Sequence, residues 1–469
     1  MIDVIHVMLA SSISKELELP SMPFDDLSSG GETERAGLIR AADTWGTPVF
    51  VLSEALVDEA AAQLEAAFPP PWMLHYSLKA NDVPAIAGRL ARRGWGANVV
   101  SVGEWAQAAA GGVPESATTF EGVGKSNAQL ADVVEAAAMG RPLRWLVVES
   151  EDEIVDLATL AADAGLGVDG RPALDVLLRL NPEVEPETSD GLAVGAQGSK
   201  FGMTEAEIST LAAGGLPGAP GLRWRGVHVH IGSQLGGAMA WAQAGVSAAR
   251  VRARLAEREP SCDTVDFGGG FPTAAPGLPP PEQFRVFLED ALLSEGVPGP
   301  DRLAIEPGRY LVGNAGWLVA SVLHTRADRG GLPQVVIDAG MTELIRPALY
   351  GARHQIRALR VSEADPRLVP TAVEGPICEL TDTLGTHTLP RLARGDLVVI
   401  ATAGAYAASF TSRFNGRPQP AEVLLGADGT LREALRAEIP RHRPGRRPAS
   451  TAGSTSGGGG TPGIHGVRP

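Results

Sequence analysis

The sequence has few of the features that mark secreted, membrane-bound or nucleic-acid-binding proteins. Its two cysteines, Cys262 and Cys378, allow at most one disulfide bond, which excludes a disulfide framework and fits a reducing compartment. No apolar run approaches the roughly 20 residues that a membrane helix needs. Residues 1–14 have neither the basic start nor the cleavage site of a signal peptide. We therefore expect a soluble, cytoplasmic protein.

Positive charge is also scarce. The chain has 40 Lys and Arg residues against 55 Asp and Glu residues, and its net charge is −15. Such a surface repels phosphate-rich polymers, so nucleic acid is not an expected partner. Only 20% of the 469 residues are charged whereas 44% are hydrophobic, which is typical of a globular protein with a large core and room for two domains.

A repeated pattern begins at residue 72. A short apolar run is followed by polar or glycine residues and then by an alanine- and leucine-rich stretch. The pattern predicts eight strands, at 73–78, 96–100, 117–121, 144–149, 174–180, 223–230, 263–267 and 302–305. Strands that alternate with helices are parallel, and eight such units close a TIM-like (β/α)₈ barrel. An open, doubly wound sheet is the alternative.

Changes in composition divide the chain into four segments. Residues 1–45 are predicted to be a partly disordered N-terminal leader, and residues 46–310 the barrel with a preceding strand and helix. Residues 311–438 contain short strand-like runs without regular helices and predict a C-terminal β-domain, with the strand at 48–52 as a candidate further member. Residues 439–469 are rich in Pro, Arg, Ser and Gly, which predicts a disordered tail.

Chemically reactive residues follow the predicted barrel strands. Lys79 follows the first strand, His230 ends the sixth, Gly268 to Gly270 follow the seventh, and Glu306 follows the eighth. Barrel enzymes build their active sites from the loops at the carboxyl ends of the strands. The sequence therefore predicts an active site on this rim.

Together these residues meet the chemical needs of pyridoxal 5'-phosphate. Burial is expected to lower the pKa of Lys79 and leave an amine that can form a Schiff base. Glu306 could hold a pyridinium proton and His230 could stack on a ring, whereas backbone groups could bind phosphate at Gly268, Gly269, Gly270, Gly308 and Arg309. Taken singly, each residue has an ordinary structural explanation, but together they predict pyridoxal phosphate as the cofactor.

Eight short segments, in order between about residues 46 and 425, match the motifs of one known enzyme family. They are YSLKAN at 76–81, SKFG at 199–202, HIGSQ at 230–234, GGGFP at 268–272, EPGRY at 306–310, IRPALYG at 345–351, GPICE at 375–379 and GAY at 404–406. These segments resemble the fold-type III pyridoxal-phosphate decarboxylases, and among them most closely the diaminopimelate decarboxylases. The resemblance implies a (β/α)₈ barrel followed by a C-terminal β-domain, the alanine racemase and ornithine decarboxylase architecture, in a head-to-tail homodimer.

The resemblance also implies a role for each matching residue. Lys79 would carry the cofactor, and Cys378, contributed by the neighbouring subunit, would return a proton to the product. The further cofactor contacts implied are His230, Ser233, Gly269, Gly270, Glu306, Gly308, Arg309 and Tyr406. The substrate contacts implied are Arg309, Arg346 and Tyr350 for a distal carboxylate, Glu379 for a distal ammonium group, and Tyr406. No metal is expected.

The reaction implied is decarboxylation of meso-2,6-diaminopimelate to L-lysine and CO₂, a carboxy-lyase step of lysine biosynthesis. Three departures from the family pattern leave the substrate open: Asn98 replaces an acidic residue, segment 186–197 lacks a Thr-His pair, and Leu380-Thr381 replaces Ser-Gly. The first alternative is a decarboxylase of the same fold acting on lysine, ornithine, citrulline or a carrier-bound glutamyl group. The second is a non-catalytic regulator of this fold, against which the intact Lys79 and Cys378 count.

Overall fold

The computed structural model describes residues 31–216, 220–329, 331–362 and 367–439. Residues 1–30 of the predicted leader and residues 440–469 of the predicted tail lie outside the described residues. The strand that precedes the barrel, β1, comprises Val49–Ser53. The barrel strands are β2 (Trp72–Ser77), β3 (Gly96–Val99), β4 (Thr118–Phe120), β5 (Trp145–Val148), β6 (Leu174–Leu180), β7 (Leu222–Val229), β8 (Thr264–Asp266) and β9 (Arg302–Ile305).

These eight strands form a closed parallel barrel. Each strand pairs with the next along the chain, and β9 pairs back with β2 through Met73 opposite Ala304. All eight strands are therefore where the apolar runs predict them, and the barrel prediction is confirmed. The closed order excludes the open-sheet alternative.

Eleven helices are present in the described part of the chain. They are α1 (Gly31–Trp45), α2 (Glu54–Ala67), α3 (Pro84–Ala91), α4 (Val102–Ala110), α5 (Asn127–Ala138), α6 (Glu151–Asp163), α7 (Glu205–Gly214), α8 (Met239–Ala256), α9 (Pro281–Ser294), α10 (Arg309–Val312) and α11 (Arg346–Tyr350). Several begin at a capping hydroxyl: Ser101 accepts from the Glu104 N–H, and Ser126 and Thr204 form capping boxes. None of the helices in the described part of the chain combines the length and the hydropathy that a membrane crossing requires.

The alternation of side chains along the strands separates two layers of core. Leu146 and Val148 of β5 pack with the large cluster beneath the surrounding helices. Trp145 and Val147, which point to the other face of the same strand, belong to a small separate cluster with Leu177. The barrel interior is thus filled by side chains, and what remains for chemistry is the rim at the carboxyl ends of the strands.

A nine-stranded sheet follows the barrel in sequence. Its further strands are β10 (Gly316–Arg329), β11 (Leu332–Ile337), β12 (Ile356–Arg360), β13 (Leu368–Glu374), β14 (Thr383–Pro390), β15 (Leu397–Ile400), β16 (Ala421–Leu425) and β17 (Leu431–Glu433). Strand β1 joins this sheet, antiparallel to β10 and parallel to β16. The predicted combination of a barrel and a C-terminal β-domain is confirmed, and four strands that the apolar runs did not reveal, β12, β13, β14 and β17, complete the sheet.

One loop of the β-domain lies over the barrel rim. The backbone N–H of Tyr406 donates to the carbonyl of Ala80 at 2.8 Å, and the Asn81 amide donates to the carbonyl of Gly404 at 3.1 Å. The Ser409 hydroxyl reaches the carbonyl of Lys79 at 3.3 Å. The rim at β2 therefore lies against the 404–409 loop, which brings residues distant in sequence to Lys79.

Candidate active site

Lys79 lies in a one-turn 3₁₀ helix, Leu78–Ala80, directly after β2. Its Nζ donates to Oε1 of Glu121 at 2.7 Å, and its side chain is 30% exposed while that of Glu121 is buried. Burial acts to lower the pKa of Lys79, but the carboxylates of Glu121 and Glu306 outweigh it and raise the pKa above the usual 10.5. The expectation of a lowered pKa is therefore wrong, and Lys79 must give up a proton before it can bond to a carbonyl carbon.

Acidic and basic side chains alternate from Lys79 across the top of the barrel. Nε2 of His228 lies 2.9 Å from Oε2 of Glu121 and 3.2 Å from Oε2 of Glu306. Burial acts to lower the pKa of His228, but the two carboxyl groups raise it to about 10, so the imidazole is a cation at neutral pH. Burial acts to raise the pKa of Glu121, and the charges of Lys79 and His228 bring it well below 4.5 instead.

Glu306 is fixed from a second side by Asn98. Nδ2 of Asn98 donates to Oε1 of Glu306 at 2.5 Å, and the Ser77 hydroxyl donates to the Asn98 carbonyl oxygen at 3.2 Å. All three side chains are buried. The family departure at Asn98 thus puts a hydrogen-bond donor against Glu306, and a carboxylate near Lys79 is supplied by Glu121 on the next strand.

The pKa values of Asp266 and His230, beside this group, are both shifted in the direction that favours the neutral form. Burial and the nearby Glu306 raise the pKa of Asp266 well above 3.8, and its carboxyl oxygen accepts the Gly268 N–H at 3.0 Å. Burial and the charge of Lys79 keep the pKa of His230 well below 6.5. Nδ1 of His230 accepts the Gly269 N–H at 3.2 Å, which leaves a neutral, half-buried ring beside the glycine loop.

The glycine loop and the Glu306 loop approach each other too closely for side chains. A Cβ atom at Gly269 would lie 2.5 Å from the Glu306 carbonyl oxygen, and one at Gly308 would lie 3.0 Å from the Ser77 carbonyl oxygen. Gly270 has a φ of +107°, which L-residues rarely adopt. These glycines leave backbone lining the space between β8 and β9, as a phosphate group requires.

Arg309 forms the next side of the site. Its Nε and Nη2 atoms donate to the Ser233 hydroxyl at 3.0 and 2.9 Å, and its guanidinium lies 4.6 Å from the centre of the Tyr406 ring. Ser233 comes from the loop after β7 and Tyr406 from the β-domain. Three predicted site residues are therefore in contact.

Arg346 and Tyr350 lie on the β-domain side of the same region. Arg346 donates to Nε2 of His354 at 3.3 Å, and its buried Nε has no hydrogen-bond partner among the described residues. Burial and the charge of Arg309 lower the pKa of Arg346 to about 10. Two guanidinium groups that repel each other, one with an unused donor, are suited to binding an anion. Tyr350 is half-buried here.

Cys378 and Glu379 are placed differently. Both are exposed, and the contact of the Cys378 thiol is with the Asn415 amide at 3.4 Å. The loop that carries them is held by the buried Asp382, which accepts the Ile377 N–H at 2.6 Å. Within one chain, the structure does not bring these two residues into contact with Lys79.

Glu121 and His228 are the site residues that sequence reasoning missed. Glu121 ends the predicted strand at 117–121, so the rule that selects Lys79 after its strand would also have selected Glu121. His228 lies two residues before His230, in the same polar segment at the end of the predicted strand, but only His230 is assigned a role from the sequence. In both cases, the signal was present but no family motif drew attention to it.

Glu121, His228 and Glu306 also form the one group among the described residues with the spacing of metal ligands, since their ligand atoms lie within 4.8 Å of one another. However, Nε2 of His228 lies at ion-pair distance from both carboxyl groups, 2.9 and 3.2 Å, so these three side chains already serve as partners for one another. Pyridoxal phosphate fits the rim better, because a single lysine, a buried carboxyl group and glycine loops are what that group requires.

Comparison with known proteins gives the same family. Residues 54–313 match the family model described as "Pyridoxal-dependent decarboxylase, pyridoxal binding domain". The chain is 33% identical over 403 residues to the diaminopimelate decarboxylase of Aquifex aeolicus, covering 84% of this chain and 90% of that protein. It is 34% identical over 396 residues to that of Deinococcus radiodurans, covering 83% of this chain and 93% of that protein.

A solved structure agrees with this result. The diaminopimelate decarboxylase of Helicobacter pylori, complexed with L-lysine, matches with a TM-score of 0.75 and 28% identity over 85% of this chain and 96% of that chain. Barrel, β-domain and sequence motifs thus point to one group of enzymes. The chain belongs to the pyridoxal-dependent decarboxylase family that includes the diaminopimelate decarboxylases.

Proposed function

We propose that this protein removes CO₂ from meso-2,6-diaminopimelate and releases L-lysine, with pyridoxal 5'-phosphate as cofactor. The observation that carries the proposal is the arrangement of two buried arginines, Arg309 and Arg346, beside Tyr406, which in turn lies near Lys79. An arginine pair suits a distal carboxylate. The relatives named diaminopimelate decarboxylase support the choice of substrate.

The cofactor, when bound, would supply a ring that takes up the electrons of the broken carbon–carbon bond. Lys79 would attach it, and Glu306 would keep a proton at its ring nitrogen because Asn98 and His228 hold that carboxyl group in place. His230 would lie flat against the ring. The phosphate would be bound by Ser233, Gly269, Gly270, Gly308 and Arg309, and Tyr406 would close over it.

The remaining site residues would orient the substrate. Arg309, Arg346 and Tyr350 would bind its distal carboxylate, Glu379 its distal ammonium group and Tyr406 its chain. Orientation matters because only a bond held perpendicular to the ring breaks readily. The unpartnered Nε of Arg346 supports this assignment, since a bound carboxylate would satisfy it.

Cys378 would donate a proton to the substrate carbon from the neighbouring subunit of a homodimer. The exposure of Cys378 and Glu379, together with a fully exposed Leu380 and the half-exposed rings of Phe410 and Phe414, supports a partner surface there. The Phe410 ring lies 6.3 Å from that of Tyr406, so such a surface would adjoin the site. The cytoplasmic location and the domain boundaries at 45, 310 and 438 stay predictions.

A second candidate is a decarboxylase of the same fold with another amino acid as substrate. The altered segment 186–197 touches the site: the Thr188 hydroxyl donates to the carbonyl of Ser233 at 2.7 Å, and a Cβ atom at Gly191 would lie 3.2 Å from the Tyr350 ring. A change in this segment can therefore change the shape of the substrate pocket.

The test is CO₂ release by the purified, cofactor-loaded protein from a panel of amino acids. The panel contains meso-diaminopimelate, its L,L isomer, lysine, ornithine, citrulline and glutamate, and Lys79→Ala is the control for contaminating decarboxylases. We expect turnover of meso-diaminopimelate alone, with L-lysine as product. Turnover of another compound while meso-diaminopimelate is inert would establish the second candidate instead.

A further inference from the structure

Glu121 has no role in the proposed set of site residues, yet it makes the closest contact to the reactive amine. It follows β4, and its backbone N–H donates to the carbonyl of Val99 at 2.9 Å, which fixes it at the barrel rim. Its carboxyl group is buried, with one oxygen 2.7 Å from Nζ of Lys79 and the other 2.9 Å from Nε2 of His228. Both oxygens are therefore directed at cations.

We propose that Glu121 is the proton acceptor of Lys79. In this step, an Nζ–H bond of the ammonium group breaks, its electron pair stays on nitrogen, and an O–H bond forms on Oε1 of Glu121. No oxidant or reductant is needed, and the neutral amine is free to bond to an aldehyde carbon. The reverse transfer, from Oε1 of Glu121 to Nζ, would restore the ammonium group when the lysine is released.

His228 acts on this exchange as a positioning residue. It joins Glu121 to Glu306, with distances of 2.9 and 3.2 Å from its Nε2 to the two carboxyl groups. Its positive charge keeps Glu121 in the carboxylate form, so that Oε1 carries no proton when it meets the ammonium group of Lys79, and it also lowers the proton affinity of that oxygen. The acceptor for Lys79 and the carboxyl group proposed for the ring nitrogen are thus coupled through one imidazolium.

Several other charged or titratable groups act on Lys79 or on Glu121 and must be considered in any pH experiment. They are Glu104, Glu306 and Tyr406 on the acidic side, and Arg179, His228 and His230 on the basic side. Of these, only His228 also contacts Glu121 directly in the described structure. The effect of replacing Glu121 on the ionisation of Lys79 can therefore be distinguished from the effects of the remaining groups.

The first experiment measures the ionisation of Lys79 in the full-length, cofactor-stripped protein. Acetic anhydride labels neutral amines, and mass spectrometry of the Lys79 peptide over a range of pH gives the midpoint of its ionisation. Glu121→Gln keeps the size of the side chain and removes its charge, so the midpoint should fall by about 1 to 3 pH units. An unchanged midpoint would overturn the proposal.

The matched control is Glu149→Gln. Glu149 is also a buried carboxylate at the end of a barrel strand and also pairs with a cation, since Arg179 donates to it at 2.9 Å. In Glu149→Gln we expect the ionisation midpoint of Lys79 to stay within about half a pH unit of wild type, because Glu149 pairs with Arg179 and is not among the groups that shift the pKa of Lys79. Equal shifts in both variants would mean that general destabilisation, not the contact at Glu121, moves the midpoint, and would also overturn the proposal.

The second experiment tests proton transfer itself. Pyridoxal phosphate is mixed with the stripped protein, and the rate at which the absorption band of the lysine-bound cofactor develops is measured. The rates of wild type and variant are then compared, each at the pH of its own ionisation midpoint for Lys79. Glu121→Gln should then be slower by about 10²-fold or more, the usual contribution of a positioned base. A rate equal to wild type would make Glu121 a charge partner only and would refute its role as acceptor.

Glu121→Asp keeps the experiment decisive if Glu121→Gln fails to fold. The aspartate retains the charge, but its side chain is one carbon shorter, so the carboxylate lies further from Nζ. The ionisation midpoint of Lys79 should therefore stay near that of wild type, while the rate of cofactor attachment at matched ionisation falls. If both values equal those of wild type, the acceptor role is wrong.

The experiment with pyridoxal phosphate rests on the proposed function, whereas the labelling of Lys79 with acetic anhydride does not. If meso-diaminopimelate is not turned over but Glu121→Gln still changes the ionisation midpoint and the rate as expected, only the substrate assignment is wrong.

Discussion

At the scale of single residues, charge partners decide protonation states more strongly than burial does. Lys79 and His228 are both placed where burial lowers their pKa values, and in both the contact with carboxyl groups reverses the direction. His230, whose ring nitrogen accepts the Gly269 N–H and which contacts no carboxyl group among the described residues, keeps the direction that burial sets. The difference lies in contacts of about 3 Å, a distance at which two charges in a poorly hydrated site interact by several kcal/mol.

The two cysteines give a direct test of the proton donor. Cys378→Ala should lower kcat by about 10²- to 10⁴-fold while leaving cofactor binding intact, because it removes a proton donor and no cofactor contact. Cys262 is the matched control, since burial raises the pKa of its thiol to about 12 and it lies in the core. Cys262→Ala should keep its kcat. Steady-state CO₂ release with both variants is the measurement, and a normal rate for Cys378→Ala would remove that residue from its role.

His228 should make stability depend on pH. Its pKa is raised in the folded protein, from 6.5 to about 10. Its contribution to the free energy of unfolding is therefore fully present below about pH 6.5 and is lost as pH rises towards 10. His228→Asn leaves Glu121 and Glu306 without their shared cation, which should cost about 3 to 5 kcal/mol near pH 6.5. That difference from wild type should shrink as pH rises.

Urea unfolding at pH 6.5, 8 and 9.5, at one protein concentration, measures this prediction. The exposed His324 offers the control His324→Asn, whose difference from wild type should stay small at every pH. A destabilisation by His228→Asn that does not vary with pH would contradict the assignment of a shared cation.

At the scale of elements, strands were predictable where both faces are buried. The barrel strands are short, nearly continuous apolar runs because helices cover one face and the barrel interior the other. Strands β13 and β14 have mixed burial; β13 is interrupted by Pro370 and Thr371, and β14 is rich in Thr and contains Gly385 and His387, so neither forms a distinctive apolar run. Helix α1 was not predicted either, although Leu38 and Ala41 are buried against the sheet, because its first turn is acidic and continues the polar segment before it.

The loop between β8 and α9 can be tested through one glycine. Gly269→Ala would place a methyl group 2.5 Å from the carbonyl oxygen of Glu306, so the two loops must separate. We expect at least a tenfold loss of pyridoxal-phosphate affinity with only modest loss of stability. Gly299→Ala is the control, because nothing lies within 4 Å of the added methyl group there. Fluorescence titration with the cofactor is the measurement, and equal affinity in both variants would count against the phosphate assignment.

At the scale of the whole molecule, the open question is what covers the exposed loop of Cys378 and Glu379. If the neighbouring subunit contributes Cys378, then Lys79→Ala and Cys378→Ala variants, each inactive alone, should form mixed dimers with one intact site. Random exchange of equal amounts should restore about a quarter of wild-type activity, because half of the dimers are mixed and each has one working site of two. CO₂ release after mixing, against each variant alone, is the measurement. No recovery despite exchange of subunits would place the thiol in the same chain as its site.

The sequence by itself determined the barrel, the β-domain and the family, because apolar runs and the contiguous motifs around Lys79, Gly269 and Glu306 are local properties of the chain. It also determined that the polar residues lie on one rim, since each follows a strand. Only the tertiary structure decided which of these residues touch. The contacts of Glu121 with Lys79 and of His228 with Glu306 join residues 42 and 78 positions apart. Such contacts depend on the closure and stagger of the strands, which no local pattern records, and they reverse the pKa direction that burial alone predicts.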